Sequence, residues 1–494
     1  MVYTSAINVQ NLTFGYGGGE PVFDNASFRL DTDWKTGLIG RNGRGKTTFM
    51  KLLCGALEHR GRVDTAAKFV YFPFEVPDTG RLCIGIMNEV CPSAEDWEVI
   101  RELSYLNIGA ETLYRPFCEL SGGEQTKIML AALFLTEGCF PLIDEPTNHI
   151  DETGRKVVSD YLNRKKGFIV ASHDRAFLDG CCDHIMALNR TDIQVVSGNF
   201  SSWYEDFERR QSFEAAQNER LKKDVARLTQ AARKTAVWAD KAEAEKQGKN
   251  SAGLRPDKGY LGHKAAKVMK RAKSAEERAQ KSAEEKSQLL RNAESAEKLK
   301  IQPLVYRSEK LLEFAEVGVY YGGKRVCGPV GFEVLRGERV AISGGNGSGK
   351  SSILKIIAGE DISHTGTVRL SSGLIISYVP QSSANLGGSV AEFARERGID
   401  ANTFMAVLSR MDFGADDFGG DISQFSEGQK KKTLIAGSLC QRAHLYVWDE
   451  PLNYIDIYAR MQIEELLKEF APTMVFVEHD GAFRNAIATK TVTL

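Results

Sequence analysis

The chain has no apolar run long enough to cross a membrane. Its longest, Ile128–Leu135, falls far short of the roughly 18–20 residues a spanning helix needs. The opening residues, MVYTSAINVQ, lack the basic start and apolar stretch of a secretory leader, so a cytoplasmic location is expected. Nine cysteines are scattered over 494 residues without CxxC or Cys/His ligand spacing. Even the adjacent pair Cys181–Cys182 reads as buried, reduced thiols. No metal site is expected beyond what a nucleotide carries with it. Net charge is nearly absent too, at −1.

That balance hides an internal asymmetry. Between Arg209 and Lys300 the chain carries 24 Lys and Arg against 13 Asp and Glu, a net of +11, which leaves −12 for the rest. Such a segment points to an anionic partner, with nucleic acid first, or to a passive spacer with a solvated charged face. Leu221, Val225, Leu228 and Ala232 follow helical spacing, and residues 246–262 interrupt it with four glycines and a proline. Ala265, Met269, Ala272 and Ala279 then start a second helical seam. The pattern predicts an antiparallel helical hairpin over 206–300 with its tip near 246–262. Each arm of about 40 residues would span roughly 60 Å. Leu254, Arg255, Pro256 and Tyr260 fall at the tip. Lys264, Lys267, Lys270 and Arg271 follow it as candidates for phosphate contact, read by shape as for structured RNA.

The segment separates two halves, 1–205 and 301–494, that repeat one another. In the first, a short apolar strand runs into Gly40-Arg-Asn42-Gly43-Arg-Gly45-Lys46-Thr47-Thr48 and a helical pattern follows. Glycines let such a loop turn its N–H groups toward phosphate, and the helix N-terminus adds its positive end. Lys46 would meet the β- and γ-phosphates, and the Thr47 hydroxyl would meet Mg²⁺. Tyr16, about thirty residues upstream, either stacks on adenine or is an edge-strand aromatic in a turn.

A phosphate loop alone fits a kinase or a GTPase equally well. Leu120-Ser121-Gly122-Gly123-Glu124-Gln125, standing before an apolar helix, narrows the choice. Here the chain resembles the ATP-binding cassette (ABC) family, whose signature is LSGGQ. The resemblance implies that Asp144, ending the strand Pro141–Asp144, serves Mg²⁺ and that Glu145 polarises the attacking water. It also implies that Asp151 lies at the dimer seam and that His173 reads the γ-phosphate. Family members usually place a glutamine after the strand near Val70–Pro73, and this half has Phe74 there, so its site is expected to hydrolyse slowly or to use water in that place.

The second half repeats the order. Tyr321 precedes Gly344-Gly-Asn346-Gly347-Ser-Gly349-Lys350-Ser351-Ser352, and the glutamine is present as Gln381. The signature reads Phe425-Ser426-Glu427-Gly428-Gln429. Asp449 and Glu450 end a strand, Asp456 takes the seam position, and His479 closes the set. From loop lysine to signature serine is 75 residues in one half and 76 in the other, so neither is expected to carry a large insertion. The chain stops soon after His479, and no further domain is expected.

The expected fold is therefore α/β, with two tandem ABC-type P-loop ATPase domains joined by a long antiparallel α-helical hairpin. Tandem halves with a basic linker resemble the ABC-F family. Leu38–Thr48, Arg115-Pro-Phe117, Lys267-Val-Met-Lys-Arg271 and Trp448-Asp-Glu-Pro-Leu-Asn-Tyr454 look like its Lsa/Vga-type antibiotic-resistance branch. The resemblance implies a monomer that pairs its own halves around ATP and Mg²⁺, Lys46 facing Ser426 and Lys350 facing Ser121, with no obligate protein subunit or membrane. It further implies a closed, ATP-bound form that enters the ribosomal E site, meets 23S rRNA and P-site tRNA, and protects against lincosamides, pleuromutilins and streptogramin A. A housekeeping translation factor and a transporter ATPase remain alternatives.

Overall fold

The structure is a computed structural model that describes residues 6–494 apart from 18–20, 137, 149, 190–192, 214–215, 218, 221–222, 224–302, 346, 385, 412 and 415–416. The expected hairpin tip and all eight linker residues singled out for contact lie outside the described residues. So does Asn346. The chain divides into two compact units, Met1–Trp203 with Leu299–Leu494, and Tyr204–Lys298. No described helix is long and apolar enough to cross a membrane.

In the first unit each half is built on a largely parallel sheet. The first half orders its strands Lys68–Phe72, Cys139–Asp144, Phe168–Ala171, Lys35–Gly40, His184–Leu188 and Ile193–Ser197, the last antiparallel. The second repeats the order as Ile376–Val379, Leu445–Asp449, Met474–Val477, Arg339–Ser343 and Lys490–Thr493. Leu142, Ile143, Ile169 and Val170 have no exposed surface. That is the reason these strands read as unbroken apolar runs: helices or a second sheet cover both faces.

A three-stranded antiparallel sheet flanks each parallel one, with Phe23–Asp31, Ala6–Phe14 and Arg60–Asp64 in the first half. Lys324–Leu335, Lys310–Tyr321 and His364–Leu370 form its counterpart. The helix Lys46–Leu53 is clamped between the two sheets of its half. Phe49, Leu52 and Leu53 pack with Ile7, Val9 and Leu12 on one side and Leu142 and Ile169 on the other. In the second half Ile353, Leu354 and Ile357 of Lys350–Ile357 sit between Leu312 and Phe314 and Val447 and Val475. Each such side chain removed from water stabilises by about 1.5–3 kcal/mol. The packing fixes the helix whose first turn carries the loop lysine.

Parallel strands deliver their carboxyl ends to one edge, where ligands of open α/β sheets bind. Asp144 is in register with Ala171, and Leu38 pairs with Ala171 from the other side. The phosphate loop, the Asp144–Glu145 pair and the Ser172-His173 turn therefore leave neighbouring strands side by side.

Candidate functional site

Gly45 holds the turn from loop to helix at φ +85°, a left-handed conformation that favours glycine. A Cβ there would lie 2.5 Å from Val22 Cγ1, so backbone and space both exclude a side chain. The buried Lys46 Nζ donates to the Gly40 carbonyl at 2.8 Å. Lys350 Nζ does the same to Gly344 and Gly345, at 2.9 and 2.8 Å. Both ammonium groups are thus curled into loops whose glycine carbonyls hold them. Burial lowers both lysine pKa values, and the strand-end carboxylates pull the other way.

Thr47 Oγ1 donates to Asp144 Oδ2 at 2.6 Å, and the Tyr71 hydroxyl donates to the same oxygen at 2.9 Å. Tyr71 was not among the sequence candidates. Its counterpart Tyr378 stands at the same place before Pro-Phe74 or Pro-Gln381, and that repeat was the available signal. In the second half both oxygens of the buried Asp449 lack a hydrogen-bond partner among the described residues. Burial pushes this carboxyl up to about 6, with the neighbouring Ser351 hydroxyl pulling it down. Tyr16 and Tyr321 keep exposed rings, and their hydroxyls meet Thr48 Oγ1 at 3.1 Å and Ser352 Oγ at 3.2 Å. Each aromatic is thereby tied to the helix that carries its phosphate loop.

Glu145 and Glu450 share a feature that sequence reading gave no sign of. Both adopt positive φ, +49° and +45°, which non-glycine residues take rarely. The turn is set because each N–H leaves its own strand and donates to the neighbouring one, Glu145 to Ala171 O at 2.9 Å and Glu450 to Val477 O at 3.0 Å. The side chains then face the histidines. His173 Nε2 lies 3.2 Å from Glu145 Oε1, and His479 Nε2 lies 3.2 Å from Glu450 Oε1.

The two glutamates differ in charge environment. Burial pushes Glu145 up to about 7, against the pull of Lys46 and with the repulsion of Asp144. Burial also acts on Glu450, but hydrogen bonds from His479, Gln381 and Asn453 outweigh it and hold the carboxyl at about 2. Gln381 Nε2 donates to Glu450 Oε2 at 2.9 Å and Asn453 Nδ2 at 2.8 Å. His173 is held well below the usual imidazole range by burial and by the charges of Lys46 and Arg460, so the ring is neutral.

Ser121 and Ser426 begin the helices Gly122–Leu135 and Glu427–Cys440 as caps. Each hydroxyl accepts from the backbone N–H three residues on. Glu124 Oε2 and Gln429 Oε1 reach back to the serine N–H at 2.9 and 3.0 Å. The second and fifth signature positions thus form a capping box that presents the serine and glycine backbone at the helix start. Asp151 and Asp456 cap Glu152–Asn163 and Ile457–Phe470 in the same way, accepting from Gly154 N–H at 2.8 Å and Ala459 N–H at 3.0 Å. Four residues beyond each stands an arginine that the sequence reading passed over. Arg155 meets Asp174 at 3.0 Å and Arg460 meets Asp480 at 3.1 Å, tying each seam helix to the residue after the histidine.

The halves meet head to tail. Asn42 of the first loop donates through Nδ2 to Tyr454 O at 2.6 Å and through its N–H to Asp456 at 3.4 Å. Signature Gly428 lies so close that a Cβ would sit 2.9 Å from Asn42 Nδ2. Lys432 pairs with the buried Asp456 at 2.8 Å behind this contact. On the other side a cavity of about 530 Å³ is walled by Gly122, Asn148 and Ile150 from the first half. Lys350, Ser351, Gln381, Glu450 and His479 wall it from the second. Each phosphate loop therefore faces the signature of the opposite half, an arrangement able to clasp a nucleotide between them.

The family profile described as "ABC transporter" matches residues 23–148 and again 327–453. The chain is 27% identical to the ATP-binding protein Uup of Caulobacter vibrioides, over 97% of this chain and 75% of that protein. It is 27% identical to the ribosome protection protein VmlR of Bacillus subtilis, over 94% and 82%. The energy-dependent translational throttle protein EttA of Escherichia coli is 26% identical over 95% and 88%. Among solved structures, the archaeal ribosome recycling factor aABCE1 in complex with the stalk protein aP1 superposes with a TM-score of 0.63 at 20% identity, covering 98% of this chain and 87% of that one. That similarity shows a shared tandem fold.

Proposed function

The chain belongs to the ATP-binding cassette family and is an ATP hydrolase with two cassettes; on that basis we propose that it is an ABC-F protein that acts on the ribosome and protects it from antibiotics. The observation that carries the reading is the head-to-tail seam. Asn42 of the first loop faces Gly428 of the other cassette, and Lys350 and Gly122 wall one cavity. Nucleotide held there bridges the cassettes, so binding favours the closed form by its differential contacts.

Each glutamate is placed to accept a proton from water attacking the γ-phosphate, with the histidine beside it to orient both. Lys46 and Lys350 would leave the loop carbonyls for the β- and γ-phosphates. The ring faces of Tyr16 and Tyr321 would stack on adenine. Mg²⁺ fits the residues present, because Asp449 has two buried oxygens without partners beside Ser351. Ser351, Asp449 and Gln381 would hold it in one site, and Thr47 and Asp144 in the other. When bound, it neutralises charge between the β- and γ-phosphates.

The +11 linker supports nucleic acid as the partner, because clustered Lys and Arg release counterions from phosphates. VmlR, EttA and aABCE1 carry ribosome, translation or recycling in their names, which favours the ribosome over other anions. The closed form would enter the E site and extend the linker past P-site tRNA toward the peptidyl-transferase centre. It would protect there against lincosamides, pleuromutilins and streptogramin A. Hydrolysis would open the cassettes and release the protein to the cytoplasm.

The test is Glu145→Gln with Glu450→Gln, sedimented with ribosomes through a cushion. Stable co-sedimentation that requires ATP is the expected result. Protein that binds ATP yet stays in the supernatant would exclude the ribosome as partner.

A further inference from the structure

We propose that the two composite sites divide the work: the site built on Lys350 and Glu450 turns ATP over, and the site built on Lys46 and Glu145 holds its ATP and keeps the cassettes paired. The inference rests on the ATP-hydrolase assignment and not on the ribosome, so a failed ribosome experiment leaves it standing.

Glu450 is held from three directions. Gln381 and Asn453 donate to Oε2 at 2.9 and 2.8 Å, and His479 meets Oε1 at 3.2 Å. Its backbone is held as well. The buried Lys431 Nζ donates to Glu450 O at 3.2 Å and to Pro380 O at 3.0 Å. One ammonium thus pins the turn that carries Gln381 to the turn that carries Glu450. Lys431 touches no reacting atom and acts as a positioning residue.

The first cassette keeps the histidine and the asparagine, as His173 and Asn148, and replaces the other two supports. Phe74 stands where Gln381 does and offers no donor. Thr126 stands where Lys431 does, five residues past the signature serine, and its hydroxyl is spent within its own helix on Gly122 O at 2.9 Å. Glu145 Oε1 makes no hydrogen bond with a described residue, although His173 Nε2 lies 3.2 Å away.

Hydrolysis asks for a water held in line. Its oxygen forms a bond to the γ-phosphorus and its proton passes to the glutamate. The bond from the γ-phosphorus to the bridging oxygen breaks, and the electron pair leaves with ADP. Gln381 places an amide beside Glu450 for that water, and Phe74 cannot. One missing preorganised donor slows such a step by about 100- to 1,000-fold.

The experiment loads the full-length protein with two equivalents of γ-labelled ATP, chases with unlabelled ATP and follows phosphate release by acid quench. Two phases of equal amplitude are expected, separated by about 100-fold in rate. Gln381→Phe should remove the fast phase, and Phe74→Gln should accelerate the slow one. Lys431→Thr should slow the fast phase with KM unchanged, and Lys431→Arg should restore it. Phenylalanine is already accommodated at this place in the first cassette, and the wild-type transient decides the matter without any variant. A single phase consuming both ATP molecules, or a fast phase that survives Gln381→Phe, would overturn the proposal.

Discussion

Arg484 of the second cassette grips Glu152 of the first with both prongs of its guanidinium, Nη1 and Nη2 each 2.8 Å from a carboxylate oxygen. The partner contact on the other side is Arg175 with Glu464 at 2.6 Å. In both pairs the arginine belongs to the short helix after His173 or His479, and the glutamate belongs to the seam helix of the opposite cassette. Each short helix is thereby tied to the seam helix of the opposite cassette.

The Arg484–Glu152 pair makes closure sensitive to acid. The Arg484 hydrogen bond holds the Glu152 carboxyl below the ordinary glutamate range. A lowered carboxyl contributes above its unfolded pKa and loses that contribution as pH falls through the lowered value. Closure in ATP, followed by scattering, should therefore be flat through neutral pH and weaken only below about pH 4.5 through this pair. Arg484→Ala should abolish that acid dependence. Arg175→Ala, which breaks a more enclosed pair, should weaken closure by about 1–3 kcal/mol.

The loop lysines are expected to be indispensable. Lys46→Ala with Lys350→Ala removes both ammonium groups that the loops enclose, with no substitute cation on either loop helix's first turn. ATPase activity should fall by at least about 100-fold. Nucleotide-dependent closure should vanish while the melting curve without nucleotide stays close to wild type. Retained ATP-dependent function would reject the clamp.

Trp448 should prove a shared support of stability and site. It has no exposed surface, and its indole donates to Ser438 Oγ at 2.9 Å, which in turn meets Ser377 Oγ at 2.8 Å. Trp448→Phe opens a void and removes one of the two partners of the buried Ser438 hydroxyl, costing about 1–3 kcal/mol. A melt should drop by about 2–4 °C per kcal/mol. The residue precedes Asp449 directly, so ATP turnover should fall further than unfolding accounts for.

Neutralising Lys264, Lys267 and Lys270 tests the linker. Each phosphate contact contributes roughly 0.7–0.9 to the slope of log affinity against log salt, so the triple variant should flatten ribosome binding by about 2–3. An unchanged slope would make the segment a spacer.

The sequence by itself determined the chemistry. Strand, glycine loop, lysine, then a strand ending in two acids is a local pattern whose spacing forces a phosphate site, and finding it twice fixed the tandem plan. The basic linker was equally plain, because charge is additive along a chain. Other features depend on which strand lies beside which. The left-handed backbone of Glu145 and Glu450 exists because their N–H groups reach Ala171 and Val477 on neighbouring strands. Tyr71 joined the site because parallel register sets it beside Leu142, two residues before Asp144. Lys431 stands among three successive lysines, 430–432, and only packing buries it against Pro380 and Glu450. Phe74 in place of Gln381 was legible in the sequence, but the ion pairs across the seam were decided by tertiary structure, since they depend on distances between residues that the chain separates by hundreds of positions.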